Sequence, residues 1–137
     1  MIYLLDTNII SDIVRHPKGS VVDAMILASA DEIVTSVVVA GELRTWIAKN
    51  NSPRLSRLVE TTLIAVPVQP LGPGIAEIYG RVRAELERAG TPIGGNDLWI
   101  AAHALALGAV LVTDNEREFK RVPGLSLDNW LRRSPQK

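Results

Sequence analysis

The apolar positions of this chain change period from segment to segment, and the changes predict its elements. Ile2–Leu5 is a short apolar run that stops at Asp6, Thr7 and Asn8, residues that favour turns and helix caps. Ile9, Ile10, Ile13 and Val14 then recur at helical spacing, so the chain opens strand, turn, helix. His16-Pro17-Lys18-Gly19 breaks that helix, and Ser20 is placed to cap a second one over Val21–Ala30. Glu32–Ser36 reads as a second strand, followed by a helix whose inward residues are Val39, Leu43, Trp46 and Ile47. Asn51-Ser52-Pro53 restarts the chain with Ser52 as N-cap and Pro53 in the first helical position. Leu55, Leu58, Val59 and Leu63 follow at intervals of three and four, and Ile64–Val68 reads as a third strand. Pro73 opens a long helix with Ile75, Ile78, Tyr79, Val82 and Leu86 on one face and Glu77, Arg81, Arg83, Glu85, Glu87 and Arg88 on the other. Gly90-Thr91-Pro92 ends it. Asp97–Leu107 is apolar nearly all round, which predicts a buried helix closed by Gly108. Ala109–Thr113 is a fourth strand stopping at Asp114-Asn115, and Leu125–Leu127 a short fifth.

Strands alternating with helices predict an α/β fold, a three-layer α/β/α sandwich on a mostly parallel sheet. The 137 residues fit one domain over residues 1–137. With 47% hydrophobic and 22% charged residues the chain is far from the disordered class. Zero cysteines exclude a disulfide scaffold, a thiolate zinc site and a cysteine nucleophile. A net charge of zero argues against coating nucleic acid through bulk positive charge, but leaves room for a local basic patch. No basic segment precedes an apolar stretch and a small-residue cleavage site, and no apolar run approaches the roughly 20 residues of a membrane helix. The expectation is a cytoplasmic protein without a membrane partner.

Candidate chemistry sits in the carboxylates. Asp6 and Asp114 each follow a strand, so in a parallel sheet both emerge at the carboxyl edge, where open α/β folds place their ligand crevice. At about 100° per residue from Val39, Glu42 falls near 300°, at the border of its helix's apolar face. Asp97 opens the most apolar helix of the chain; favourable placement against the helix dipole is the competing reading. Four converging carboxylates would repel one another unless a cation neutralises them, and an all-oxygen set suits Mg²⁺ or Mn²⁺ better than zinc. The histidines do not support zinc: His16 lies in a surface turn, and His103 is about 240° round the helix from Asp97. The glycines at 90, 94 and 95 match neither a dinucleotide fingerprint nor a phosphate loop, and no G-x-S-x-G elbow occurs.

Four motifs in order resemble a PIN domain: Leu4-Leu5-Asp6-Thr7-Asn8, then Gly41-Glu42-Leu43, then Gly95-Asn96-Asp97-Leu98-Trp99-Ile100-Ala101-Ala102, then Leu111-Val112-Thr113-Asp114-Asn115. The closing Phe119-Lys120-Arg121-Val122-Pro123-Gly124-Leu125 resembles the VapC-type toxins of type II toxin–antitoxin pairs, so the likeness runs from Ile2 to about Trp130. The resemblance implies a Mg²⁺- or Mn²⁺-dependent endoribonuclease that leaves 3′-hydroxyl and 5′-phosphate ends. It also implies a homodimer silenced by a cognate antitoxin protein. The family's metal-binding catalytic acids map onto Asp6, Glu42 and Asp97, with Asp114 at a fourth, less uniform position. Thr7, Asn96, Thr113 and Asn115 match positions that orient such carboxylates, although capping and turn formation explain the same residues. Arg44 and Lys49, with Arg117, Lys120 and Arg121, are candidates to line an RNA groove, and Trp46 and Trp99 are either base-stacking or core residues. A catalytically silent PIN-like binding module and a metal-dependent DNA nuclease of related fold are the alternatives, and a Mg²⁺-dependent cleavage assay separates all three.

Overall fold

The computed structural model describes residues 1–132. Five parallel strands form one sheet: β1 (Ile2–Leu5), β2 (Glu32–Ser36), β3 (Val68–Gln69), β4 (Val110–Val112) and β5 (Leu127–Asp128), in the order β3-β2-β1-β4-β5. Seven helices connect the strands among the described residues: α1 (Thr7–Arg15), α2 (Ser20–Leu27), α3 (Val37–Asn50), α4 (Pro53–Ala65), α5 (Ile75–Arg88), α6 (Gly95–Leu107) and α7 (Glu116–Phe119). The chain adds β2 and β3 on one side of β1, then returns to lay β4 on the other. That reversal puts the switch point of the sheet between β1 and β4, outside whose carboxyl ends a crevice must open. The fold is therefore the α/β/α sandwich that the alternation of elements predicts, and the central strand ends at Asp6.

Most of the helix ends follow the capping residues. Asp6 and Ser36 cap α1 and α3 in extended backbone, Ser52 caps α4 with Pro53 in the first turn, and Gly108 closes α6 at φ 64°. The core gathers Leu4, Leu5, Ile9, Ile10, Leu43, Ile100 and Leu111 around β1, with Phe119 and Trp130 closing one end. Five consecutive α6 residues, Ile100, Ala101, Ala102, His103 and Ala104, are fully buried.

Three expected boundaries are corrected. Ile64 and Ala65 complete α4 instead of starting a strand, and β3 is only Val68–Gln69. Pro67 and Pro70 bracket those two residues and have no N–H to donate, so the edge ladder cannot extend through either. Gly19 stands in the N-cap position of α2, placing Ser20 inside a helix that ends at Leu27 rather than Ala30. The fifth strand falls at Leu127–Asp128, and α7 precedes it as an unexpected short helix.

Candidate active site

Each candidate carboxylate is delivered by a different element. Asp6 ends β1 and caps α1. Its Oδ1 accepts from the Thr7 amide at 2.8 Å and its Oδ2 from the Thr113 hydroxyl at 2.7 Å, a residue just past β4. It is 4% exposed, and burial pushes its carboxyl above the usual range, opposed by those two bonds and reinforced by the charge of Glu42. Glu42 lies half-buried in the second turn of α3, where its Oε1 accepts the Thr7 hydroxyl at 2.6 Å. Thr7 thus fixes both carboxylates at once, one through its amide and one through its side chain.

Asp97, in the first turn of α6, is half-buried, and its Oδ2 accepts from the Asn115 amide at 3.3 Å. Its carboxyl is pushed up to about 7, first by burial, then by the charges of Asp6 and Glu118, a hydrogen bond shared with Glu118, and the charge of Glu42. Glu118 is the residue that sequence reasoning missed. Its Oε2 accepts the same Asn115 amide at 2.9 Å and its Oε1 accepts the Gly94 N–H at 3.0 Å, and these bonds hold it below the usual glutamate range. Of the two partners, Asp97 is the one whose carboxyl favours the proton. A signal was present, because Asn115 followed by Glu116 and Glu118 has the make-up of a capped acidic first turn.

The structure brings Asp6, Glu42 and Asp97 into one electrostatic neighbourhood and turns Asp114 out of it. Asp114 Oδ1 accepts from Asn129 Nδ2 at 3.0 Å and Arg132 Nε at 2.7 Å, which together hold its carboxyl below the usual range. Its backbone remains at the crevice, with its N–H donated to Asn8 Oδ1 at 3.1 Å. Thr7, Thr113 and Asn115 all bond a carboxylate of the group; Asn96 is exposed at the start of α6.

The donor set suits a hard divalent cation. It is all oxygen, no arginine or lysine is among the groups that act on Asp6 or Asp97, and burial first, with neighbouring negative charge adding to it, raises both carboxyls. Among the described residues no three acidic or histidine side chains already close into a cage, so the carboxylates are neighbours held by hydrogen bonds and not a preformed coordination sphere. Neither histidine takes part: His16 is exposed beside Asp12, and His103 is buried against Ser36.

Around the site, Arg44 is tied to Glu60 and Arg121 donates to the Pro92 carbonyl at 2.7 Å, while Lys49, Arg117 and Lys120 are exposed. Trp99 stacks on Tyr79 with ring centres 3.8 Å apart, and Trp46 lies half-buried under the Arg15 guanidinium. Both tryptophans are therefore engaged within the fold.

Residues 3–125 match the family model of the PIN domain. Ribonuclease VapC2 of Rickettsia felis is 39% identical over 132 residues, 95% of this chain and 98% of the relative. The tRNA(fMet)-specific endonuclease VapC of Shigella flexneri is 34% identical over 129 residues, 93% of this chain and 97% of the relative. The crystal structure of VapBC2 from Rickettsia felis, bound to a DNA fragment from its promoter, aligns at TM-score 0.88 and 36% identity, covering 95% of this chain and 99% of that one.

Proposed function

Because the chain belongs to the PIN-domain family, and within it to the VapC ribonucleases, we propose that it is the toxin of a type II toxin–antitoxin pair that hydrolyses RNA with a bound Mg²⁺ or Mn²⁺. The observation that carries the metal reading is the uncompensated charge. Asp6, Glu42 and Asp97 repel one another at the sheet's switch point, and no basic group acts on Asp6 or Asp97. These three would hold the ion, with Glu118 as the fourth carboxylate in place of Asp114. A bound Mg²⁺ supplies a Lewis acid and a water of lowered pKa. The chain's own residues do the positioning. Thr7 fixes Asp6 to Glu42, Thr113 fixes Asp6 to the end of β4, and Asn115 fixes Asp97 to Glu118. With its carboxyl pushed up to about 7, Asp97 holds a proton in acid, and that proton must leave before it can act as a ligand. Lys49, Arg117 and Lys120 supply exposed positive charge to hold the RNA backbone against a chain of zero net charge.

The partners follow from surface chemistry. Ile26 and Leu27 at the end of α2, and Leu58 and Ile64 on α4, are exposed apolar residues that suit a homodimer contact or a groove for an antitoxin segment. An antitoxin arginine set against the carboxylates would replace the cation with a bidentate guanidinium. The test is cleavage of initiator tRNA, mRNA and single-stranded DNA across a Mg²⁺ titration, with Asp97→Asn as control. The proposal requires metal-dependent RNA cleavage leaving 3′-hydroxyl and 5′-phosphate ends, lost in the variant and in the complex with a co-expressed neighbouring small protein. Cleavage at the wild-type rate by the variant, or of DNA alone, overturns it.

A further inference from the structure

His103 is a fully buried ring six residues along α6 from Asp97. Its Nδ1 lies 2.8 Å from Ser36 Oγ, and Ser36 is the N-cap of α3, accepting the Val38 N–H at 3.1 Å. Its Nε2 lacks a partner of normal hydrogen-bond geometry among the described residues. Burial holds the ring below the usual histidine range, opposed by the backbone carbonyl of Pro70 just past β3, so the ring is neutral at pH 7. The Pro70 carbonyl favours the proton on Nε2. Nδ1 is then the acceptor for the Ser36 hydroxyl, whose oxygen is taken up by the Val38 amide.

A leucine would fill such a position without the cost of burying a half-satisfied ring. What the ring supplies that leucine cannot is a directional bond between the helix that carries Asp97 and the cap of the helix that carries Glu42. The spacing is the same on both sides. Glu42 is six residues past Ser36 and Asp97 six residues before His103, about 9 Å of helix in each case. The third carrier is tied in the same style, by the buried Thr35 hydroxyl donating to the Leu5 carbonyl at 2.7 Å, immediately before Asp6.

We propose that the His103–Ser36 hydrogen bond is a positioning strut that sets α6 against α3 and thereby Asp97 against Glu42. The inference rests on the metal reading above and adds a residue outside the four carboxylates to it. Three variants test it: His103→Leu, which keeps apolar volume; His103→Asn, which keeps an acceptor at the Nδ1 position; and Ser36→Ala. In the metal-free protein, amide exchange over Val38–Ala40 should rise about tenfold in His103→Leu and in Ser36→Ala, and return most of the way to wild type in His103→Asn. Mn²⁺ affinity, read from free Mn²⁺ by electron paramagnetic resonance, should fall about tenfold in His103→Leu and recover in His103→Asn. The His103→Leu, Ser36→Ala double variant should lose no more than either single one.

Unchanged exchange in His103→Leu overturns the strut whatever the metal result. Faster exchange with wild-type Mn²⁺ affinity, while Asp97→Asn loses binding, leaves His103 a structural residue and overturns its positioning role. Wild type and Asp97→Asn binding Mn²⁺ equally weakly overturns the metal reading itself, and the positioning role with it.

Discussion

Asp97→Asn should stabilise the metal-free protein at alkaline pH and leave it unchanged in acid. The carboxyl of Asp97 is pushed up to about 7 in the folded protein from an ordinary value of 3.8. A raised acid pKa means that the folded state prefers the protonated form. The unfolded chain gives up this proton near pH 4, whereas the folded chain retains it until about pH 7, so wild-type stability falls as pH rises through that window. A difference of about 3 pKa units corresponds to about 4 kcal/mol if the group were wholly sequestered. Because Asp97 is half-exposed, solvent screening reduces this to roughly 1–2 kcal/mol.

The amide replaces the charge without disturbing the local bonds. Its oxygen accepts from Asn115 as the carboxylate does, and its NH₂ donates to Glu118 where the shared proton now sits. The assay is thermal unfolding in excess chelator at pH 8 and pH 4.5, wild type against variant. The variant should melt about 3–8 °C higher at pH 8, given the few degrees per kcal/mol of a domain this size, and within a degree or two at pH 4.5. A variant less stable at pH 8, or a difference independent of pH, refutes the argument from burial and repulsion.

Other measurements probe other parts of the site. Glu118→Gln should weaken Mn²⁺ binding about 10–100-fold while Asp114→Asn changes it less than threefold, because Asp114 is already engaged by Asn129 and Arg132; calorimetric titration decides between them. Millimolar Mg²⁺ should raise the wild-type melting temperature, with about 2.7 kcal/mol available at 100 times the dissociation constant, and a melting curve indifferent to Mg²⁺ counts against the site. Asp6→Asn should abolish cleavage with a near-native melting temperature, since the amide still offers an oxygen to Thr7 or Thr113, whereas retained cleavage removes Asp6 from the site. Trp130→Ala should cost about 3–5 kcal/mol by urea unfolding, because the indole is fully buried, packs on Tyr3 and donates Nε1 to Asp128 at 3.0 Å.

Much of the fold was legible because the residues that start and stop its elements act locally. Asp6, Ser52-Pro53 and Gly108 each satisfy or end a helix with their own backbone and side chains, and the periodic Ile9, Ile10 and Val14 or Ile75, Val82 and Leu86 face the core as their spacing requires. The errors fell where a local pattern was ambiguous. Ile64–Val68 is an apolar run that suits either a strand or a helix end, and the decision depends on which neighbour offers a ladder; two prolines leave room for two residues only. Asp6, Glu42 and Asp97 stood out as carboxylates at the sheet edge or on apolar helix faces. Whether Asp114 joins them depends on Asn129 and Arg132, residues 15 and 18 positions away that reach Asp114 only through the return of β5. No spacing rule reveals that. Glu118 was missed because its four-residue helix offers only the capped acidic turn Asn115-Glu116-Arg117-Glu118 as a signal, with no apolar period to place it beside Asp97.

The contrast between Asp114 and Asp97 carries the remaining argument. Asp114 follows β4 and Asp97 opens α6, yet the fold gives Asp114 an arginine and an amide, and gives Asp97 a weak amide bond, a hydrogen bond shared with Glu118 and three like charges. A surface carboxylate lacking a partner is ordinary, because water solvates it. A half-buried one pressed against Asp6, Glu42 and Glu118 is different, because burial and repulsion act in the same direction. Folding alone would favour neutralising that repulsion, and one arginine in place of Thr7 or Asn115 would do so. Instead those positions hold neutral donors that orient the carboxylates and leave their charge intact. Stability is given up at these positions, and in the proposed function the missing positive charge would be supplied by a cation or by an arginine of an inhibiting partner. Under the proposed function, the same deficit would serve both the activity and its inhibition. It also predicts that metal and inhibitory partner compete: raising Mg²⁺ should weaken the partner's grip on the wild type but not on Asp97→Asn, and a partner affinity equally insensitive to Mg²⁺ in both would refute it.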